Sequence, residues 1–64
     1  METREARFEK MLSDVQTVYA ETCAKMERLK TEGKTKTATY RELLGNKMVY
    51  QTMLTLYRSY GLTE

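Results

Sequence analysis

The chain has a single cysteine and no histidine, proline or tryptophan in its 64 residues. Because Cys23 is the only cysteine, an intramolecular disulfide is excluded. The lack of histidine argues against a zinc site and removes the usual base for a catalytic cysteine. A chain this short buries only about 60% of its unfolded surface and usually needs a disulfide, a metal or oligomerisation. We therefore expect one domain, residues 1–64, that is stabilised by self-association.

Long apolar runs are also missing. Strings such as Met48-Val49-Tyr50 are far shorter than the roughly 20 apolar residues of a transmembrane helix, so we expect no membrane association. The charged start of the chain has no apolar stretch behind it, unlike a secretory signal. The 11 basic and 9 acidic residues leave a net charge of +2, which by itself indicates no polyanionic partner. We expect a soluble protein in the reducing cytoplasm.

Two of the glycines divide the chain. Gly33 lies in a polar stretch without apolar periodicity, and Gly61 follows the last apolar run. The positions of these glycines predict a helix over about residues 3–31, a turn over 32–38 and a second helix over about 39–60. The fold class is all-α, and the predicted architecture is a coiled-coil-like antiparallel hairpin.

The apolar residues of the first helix recur at alternating steps of four and three, which is the spacing of a coiled-coil seam. With Thr22 filling one gap, the series is Phe8, Leu12, Val15, Tyr19, Thr22, Met26 and Leu29. Met11 and Val18 widen the apolar stripe on one side. Cys23 lies one residue off the seam, and we interpret it as a half-buried packing residue.

The start and end of the second helix carry capping signals. Thr39 followed by Glu42 matches a capping box, in which each side chain bonds the backbone amide of the other residue. Thr37 is the alternative cap. At the other end, Gly61 suits the left-handed position after a helix, and Leu62 is placed to fold back as in a Schellman motif.

The second helix is apolar over about two thirds of its circumference at 100° per residue, well beyond the stripe of a typical surface helix. One seam, flanked by Leu44 and Met48 and interrupted by Lys47, comprises Tyr40, Leu43, Tyr50, Leu54 and Tyr57. A second seam comprises Val49, Met53, Leu56 and Tyr60. Gly45 costs about 1 kcal/mol relative to alanine inside a helix, which indicates either a close neighbouring helix or a tolerated cost.

Only one of these two seams can face the first helix. Antiparallel pairing about Thr35 aligns Leu12 with Tyr57 and brings Phe8 near Leu62. The second seam is left without a partner, and such a patch indicates an interface. We expect two hairpins to pair about a two-fold axis as a four-helix bundle. The residues expected to mediate self-association are Met11, Val18, Val49, Met53, Leu56 and Tyr60.

Basic residues gather around the turn, with Glu32 as the one acid among them. The candidate anion contacts are Arg28, Lys30, Lys34, Lys36 and Arg41. They support a second hypothesis, a small nucleic-acid-associated protein whose binding depends steeply on salt. Gly33-Lys34-Thr35 matches the end of a phosphate-binding loop, but Arg28 stands where the motif needs its first glycine and no strand precedes it.

Two polar residues, Asn46 and Lys47, interrupt the apolar part of the second helix. We interpret Lys47 as a lysine that extends out of the seam edge, or the pair as a determinant of register. The alternative is an anion or partner contact. Tyr57 and Tyr60, together with Arg58, offer a second place where a partner would bind.

No Ser, His and Asp set and no pair of carboxylates in an apolar pocket occurs, so we expect no enzymatic activity, cofactor or metal. The favoured function is a non-catalytic protein–protein interaction module, namely an adaptor, regulator or stoichiometric inhibitor. We expect it to form a homodimer and also to contact a larger protein. Nucleic-acid association ranks second.

Overall fold

A computed structural model describes residues 3–63 of the protein. Helix α1 spans Arg4–Thr31 and helix α2 spans Ala38–Ser59. The two helices pack against each other in a hairpin with extents of 45 × 25 × 17 Å. The predicted all-α hairpin is therefore confirmed. Positions 1, 2 and 64 of the predicted domain lie outside the described residues.

The predicted seam of α1 faces α2. All seven of its residues are buried or half-buried, which places the seam along the contact between the helices. The exposed fraction is 7% for Leu12 and Met26, 8% for Val15 and 6% for Thr22. Thr22 is accommodated because its hydroxyl donates to the carbonyl of Val18 at 2.8 Å, which satisfies its polar group inside the contact. Cys23 is half-buried, as predicted.

The first predicted seam of α2, which we call the inner seam, supplies the other side of the contact. Its five apolar residues and Lys47 are all half-buried. No residue of α2 is fully buried, whereas α1 has four buried residues. The hairpin core is thus thin, and α2 remains open to solvent along most of its length.

The predicted cap of α2 at Thr39 is wrong. The helix begins at Ala38, and the N-cap is the alternative residue, Thr37, whose hydroxyl accepts from the amide of Tyr40 at 3.2 Å. The same hydroxyl donates to the carbonyl of Lys34 at 2.9 Å. The Thr37 hydroxyl is an acceptor and a donor at once, so it bonds both the helix and the turn. This favours a helix that begins two residues earlier than the Thr39 cap would allow. Tyr40 occupies the third helical position, so the capping box with Glu42 does not form.

The two threonines provide a test of this cap. Replacing Thr37 with alanine is expected to cost about 1 kcal/mol of stability, because the amide of Tyr40 loses its acceptor. Replacing Thr39 with alanine is expected to change stability by less than about 0.5 kcal/mol, as for a surface position inside a helix. Urea denaturation at one protein concentration measures both. A larger loss of stability for Thr39→Ala than for Thr37→Ala would contradict the cap at Thr37 and support the capping box at Thr39.

Both helices end at a glycine in the left-handed conformation, with φ of 73° at Gly33 and 72° at Gly61. After α1, the amide of Lys34 bonds the carbonyl of Leu29 at 2.8 Å. After α2, the amide of Leu62 bonds the carbonyl of Tyr57 at 2.9 Å. This pattern is the Schellman motif, in which glycine avoids the steric penalty of a Cβ. The cap predicted at Gly61 is confirmed, and Gly33 closes α1 in the same way.

An aromatic contact joins the two helices at the open end of the hairpin. The ring of Phe8 contacts that of Tyr57 edge-to-face, with centroids 5.3 Å apart, while Leu62 is 48% exposed. The amide of Leu62 bonds the carbonyl of Tyr57 after the reversal at Gly61. Thr63 then lies beside α1, where its hydroxyl accepts from the side-chain amide of Gln16 at 3.5 Å.

Candidate self-association face

One long face of the hairpin is defined by the residues that immediately precede seam residues. In an antiparallel pair of right-handed helices, these positions lie on the same side of the contact, and the residues that immediately follow seam residues lie on the opposite side. Met11 and Val18 precede Leu12 and Tyr19 in α1. In α2, the residues that precede Tyr50, Leu54 and Tyr57 are Val49, Met53 and Leu56. Tyr60 continues this stripe four residues after Leu56. The resulting association face comprises Met11, Val18, Val49, Met53, Leu56 and Tyr60.

Most of this face is exposed in the single chain. The exposed fractions are 78% for Tyr60, 57% for Val49 and 53% for Leu56. Met11 and Val18 on α1 are 42% and 37% exposed, and Met53 is half-buried. The six residues predicted to mediate self-association therefore lie on one side of the hairpin. On α2 they recur at steps of four and three from Val49 to Tyr60, whereas on α1 the exposed Asp14 lies between Met11 and Val18.

Further exposed apolar residues lie beyond the association face. Leu44 is 41% exposed and Met48 is 59% exposed. Met48 and Leu56 line an open groove on α2 together with Gln51, Thr52 and Thr55. The sequence placed Leu44 and Met48 beside the inner seam but did not assign them to an interface. The sequence feature that indicated exposed apolar residues here was the unusual width of the apolar surface of α2.

Gly45 lies on the outer side of α2, four residues before Val49. A Cβ built at this glycine meets no atom within 4 Å. Contact with α1 therefore does not explain glycine at this position. Of the two interpretations drawn from the sequence, a close approach by a helix of the same chain is excluded.

The basic residues of the turn region are spread over exposed positions. Lys34 pairs with Glu32, with Nζ and Oε1 3.1 Å apart, and both side chains are about half exposed. An exposed pair of this kind contributes little stability. Of the five candidate anion contacts, Lys30 joins other polar side chains in a recess. Nucleic-acid binding by the whole set stays a prediction.

The recess containing Lys30 has a volume of about 310 Å³ and lies near the turn end of the hairpin. Its lining residues are Cys23, Met26, Glu27, Lys30, Tyr40 and Lys47. The sequence singled out Cys23 and Lys47 separately, because one is the lone cysteine and the other interrupts a seam. It did not bring them together, since they belong to different helices.

Over residues 3–63, no group of three metal-ligating side chains forms, and no helix has the length and apolar character needed to span a bilayer. Searches against protein-family models, curated proteins and solved structures find nothing that matches this chain.

Proposed function

We propose that the protein is a non-catalytic protein–protein interaction module that works as a homodimer, with two hairpins paired through their association faces as a four-helix bundle. The observation that carries this proposal is the distribution of apolar side chains. Among the described residues, the buried apolar core consists of Leu12, Val15 and Met26, while eight large apolar side chains are exposed. A monomer with this distribution leaves much of its hydrophobic stabilisation unused.

The accessible surface supports the same conclusion. The chain exposes 5304 Å², whereas a compact monomer of 7.5 kDa is expected to expose about 4,200 Å². The excess of about 1,100 Å² exceeds the roughly 800 Å² that each partner contributes to a standard interface. One dimer contact of standard size would therefore bury most of this excess.

Helix α2 is the natural centre of such a dimer. It has no fully buried residue in the hairpin, and its two apolar seams point in different directions. In the proposed bundle, the inner seam packs on α1, and Val49, Met53, Leu56 and Tyr60 pack across the two-fold axis. Met11 and Val18 extend the contact from α1, so each hairpin uses the same surface on its partner.

Pairing in this manner leaves the opposite side of each hairpin accessible. An adaptor, regulator or stoichiometric inhibitor has this requirement, since it must hold its own assembly together while contacting a larger protein. The exposed residues Leu44 and Met48 provide apolar surface outside the association face for such a contact.

Sedimentation equilibrium over a series of protein concentrations tests the proposal. The expected result is a helical species of about 15 kDa, twice the 7.5 kDa of one chain, with a thermal midpoint that rises with concentration. A folded species of one-chain mass throughout the micromolar range would contradict it. A trimer or tetramer would retain self-association but reject the four-helix bundle.

A further inference from the structure

The part of the association face that lies on α2 is symmetrical along the helix. Its four residues recur at steps of four, three and four, and they are Val49, Met53, Leu56 and Tyr60. When a helix with this spacing pairs antiparallel with its own copy about the midpoint of the series, the first residue lies level with the last and the second with the third. The spacing therefore suits an antiparallel pair of α2 helices.

The part of the association face that lies on α1 is centred at about the same level. The midpoint of Met11 and Val18 lies immediately before Val15 on α1, and the midpoint of the α2 residues lies immediately after Leu54. Val15 and Leu54 are equally distant from the two ends of the turn, and both helices rise by the same amount per residue. One two-fold axis at this level therefore serves both helices.

The sizes of the four α2 residues also favour the antiparallel arrangement. Val49 is the smallest and Tyr60 the largest, with Met53 and Leu56 between them. Antiparallel pairing sets Val49 against the partner's Tyr60 and Met53 against the partner's Leu56, so the layers have similar thickness and the helices keep an even distance. Parallel pairing sets valine on valine and tyrosine on tyrosine, which forces the helices apart at one end.

The polar residues that continue this stripe toward the turn support the same orientation. Glu42 and Asn46 lie one heptad before Val49 and Met53, and both are exposed. In a parallel pair, each would lie level with its own copy, and the two Glu42 carboxylates would repel each other. In the antiparallel pair, the partner's α2 ends near the level of Val49, so both polar residues lie beyond it and stay hydrated.

We propose that the two α2 helices of the dimer run antiparallel, with the partner's Tyr60 packed on Val49 and the two-fold axis at the midpoint of the α2 residues. The inference rests on the proposed homodimer and adds its orientation and its residue pairs. On α1, Met11 then lies level with the partner's Val18. A second copy is the occupant that the exposed area fits, since the excess of about 1,100 Å² exceeds the roughly 800 Å² that one partner contributes to a standard interface.

Disulfide cross-linking of the full chain tests the orientation. In a Cys23→Ala background, the single-cysteine variants Val49→Cys and Tyr60→Cys are mixed in equal amounts, refolded together and oxidised. The antiparallel pair brings the two different cysteines together, whereas two copies of either one lie about 16 Å apart along the helix axis, beyond the roughly 7 Å limit between the Cα atoms of a disulfide. Mass spectrometry without reduction is expected to show the mixed disulfide in at least about fivefold excess over either self-disulfide.

Gln51→Cys and Arg58→Cys are the matched control pair. Both residues are exposed, and they also lie at one level across the antiparallel pair, but each immediately follows a seam residue and so belongs to the opposite side of the hairpin. Their mixed disulfide is expected to be at least about fivefold less abundant than that between positions 49 and 60. Equal yields from the two pairs would indicate random collision and would overturn the proposed residue pairs.

A charge-swap cycle tests the same contact without cross-linking. Val49→Asp and Tyr60→Lys are each expected to weaken dimerisation about tenfold or more, because an unpaired charge is buried. The double variant is expected to dimerise at least about tenfold more tightly than the product of the two single effects, since its opposite charges meet across the antiparallel pair. Within one chain the two positions lie about 16 Å apart, so this coupling, measured by sedimentation equilibrium, reports a contact between chains.

The failure of this inference is distinguishable from the failure of the homodimer itself. A wild-type dimer in which Val49→Cys and Tyr60→Cys form mainly self-disulfides would keep the homodimer and show that its α2 helices are parallel. Purely additive effects of Val49→Asp and Tyr60→Lys in that dimer would also overturn the proposed contact. A wild-type protein that sediments at the mass of one chain would reject the homodimer and, with it, the antiparallel pair.

Discussion

Leu56→Glu is expected to convert the proposed dimer into a helical monomer. Leu56 is 53% exposed in the single chain, so a carboxylate at this position stays hydrated in the monomer and the hairpin is preserved. In the dimer, the same carboxylate would be buried against the apolar surface of the partner. Loss of a central apolar contact together with burial of an unpaired charge is worth 2 kcal/mol or more, which weakens dimerisation by at least about thirtyfold.

Leu44→Glu is the matched control for this substitution. Leu44 is 41% exposed on the same helix, but it follows the seam residue Leu43 and so belongs to the other side of the hairpin, and it does not line the groove that contains Leu56. The same charge is added to the same helix, and dimerisation is expected to change by less than about threefold. Sedimentation equilibrium and circular dichroism measure mass and helicity. Equal weakening by both substitutions would indicate a general charge effect and would reject the association face.

Leu12→Ala is expected to have the largest effect on the hairpin itself. Leu12 is only 7% exposed and belongs to a core with two other buried apolar residues. Truncating a buried leucine costs about 2–5 kcal/mol, because transfer energy is lost and a cavity remains. A domain of this size has little stability in excess of that amount. A large fraction of the variant is therefore expected to be unfolded at room temperature.

Leu44→Ala provides the comparison, since it makes the same chemical change at a residue that is 41% exposed. Its expected cost is below about 1 kcal/mol, because less apolar surface is lost and no cavity is left. Both substitutions are best made in the Leu56→Glu background, so that the free energy of unfolding does not include dimerisation. Urea denaturation followed by circular dichroism gives the value for Leu44→Ala, and the helical signal without denaturant gives the folded fraction of Leu12→Ala. A cost for Leu12→Ala no greater than that for Leu44→Ala would show that this core does not stabilise the hairpin.

The seams show what could be predicted reliably. Every member of the α1 seam, including Thr22, is buried or half-buried, and the inner seam of α2 follows the same rule even at Lys47. A step of 100° per residue determines which residues share a side of a helix, whatever the helix packs against. The glycines were equally informative, since the left-handed conformation after each helix favours a residue without a Cβ.

The cap of α2 was harder to predict because two threonines compete for the same role. The capping-box pattern favoured Thr39, but it considers only the helix that follows. Thr37 also bonds the carbonyl of Lys34 in the turn, and this contact exists only after α1 has ended at Gly33. Which of the two threonines caps α2 therefore depended on the path of the turn.

By itself, the sequence determined that the chain forms two helices, which side of each faces the other, and that apolar surface remains on α2. Only the tertiary structure decided that Phe8 meets Tyr57 and that Cys23, Lys30, Tyr40 and Lys47 surround one recess. The physical reason is that the angular position of a residue follows from helical periodicity alone. The alignment of two helices along their axes depends on the turn that joins them and on the side chains that interlock between them.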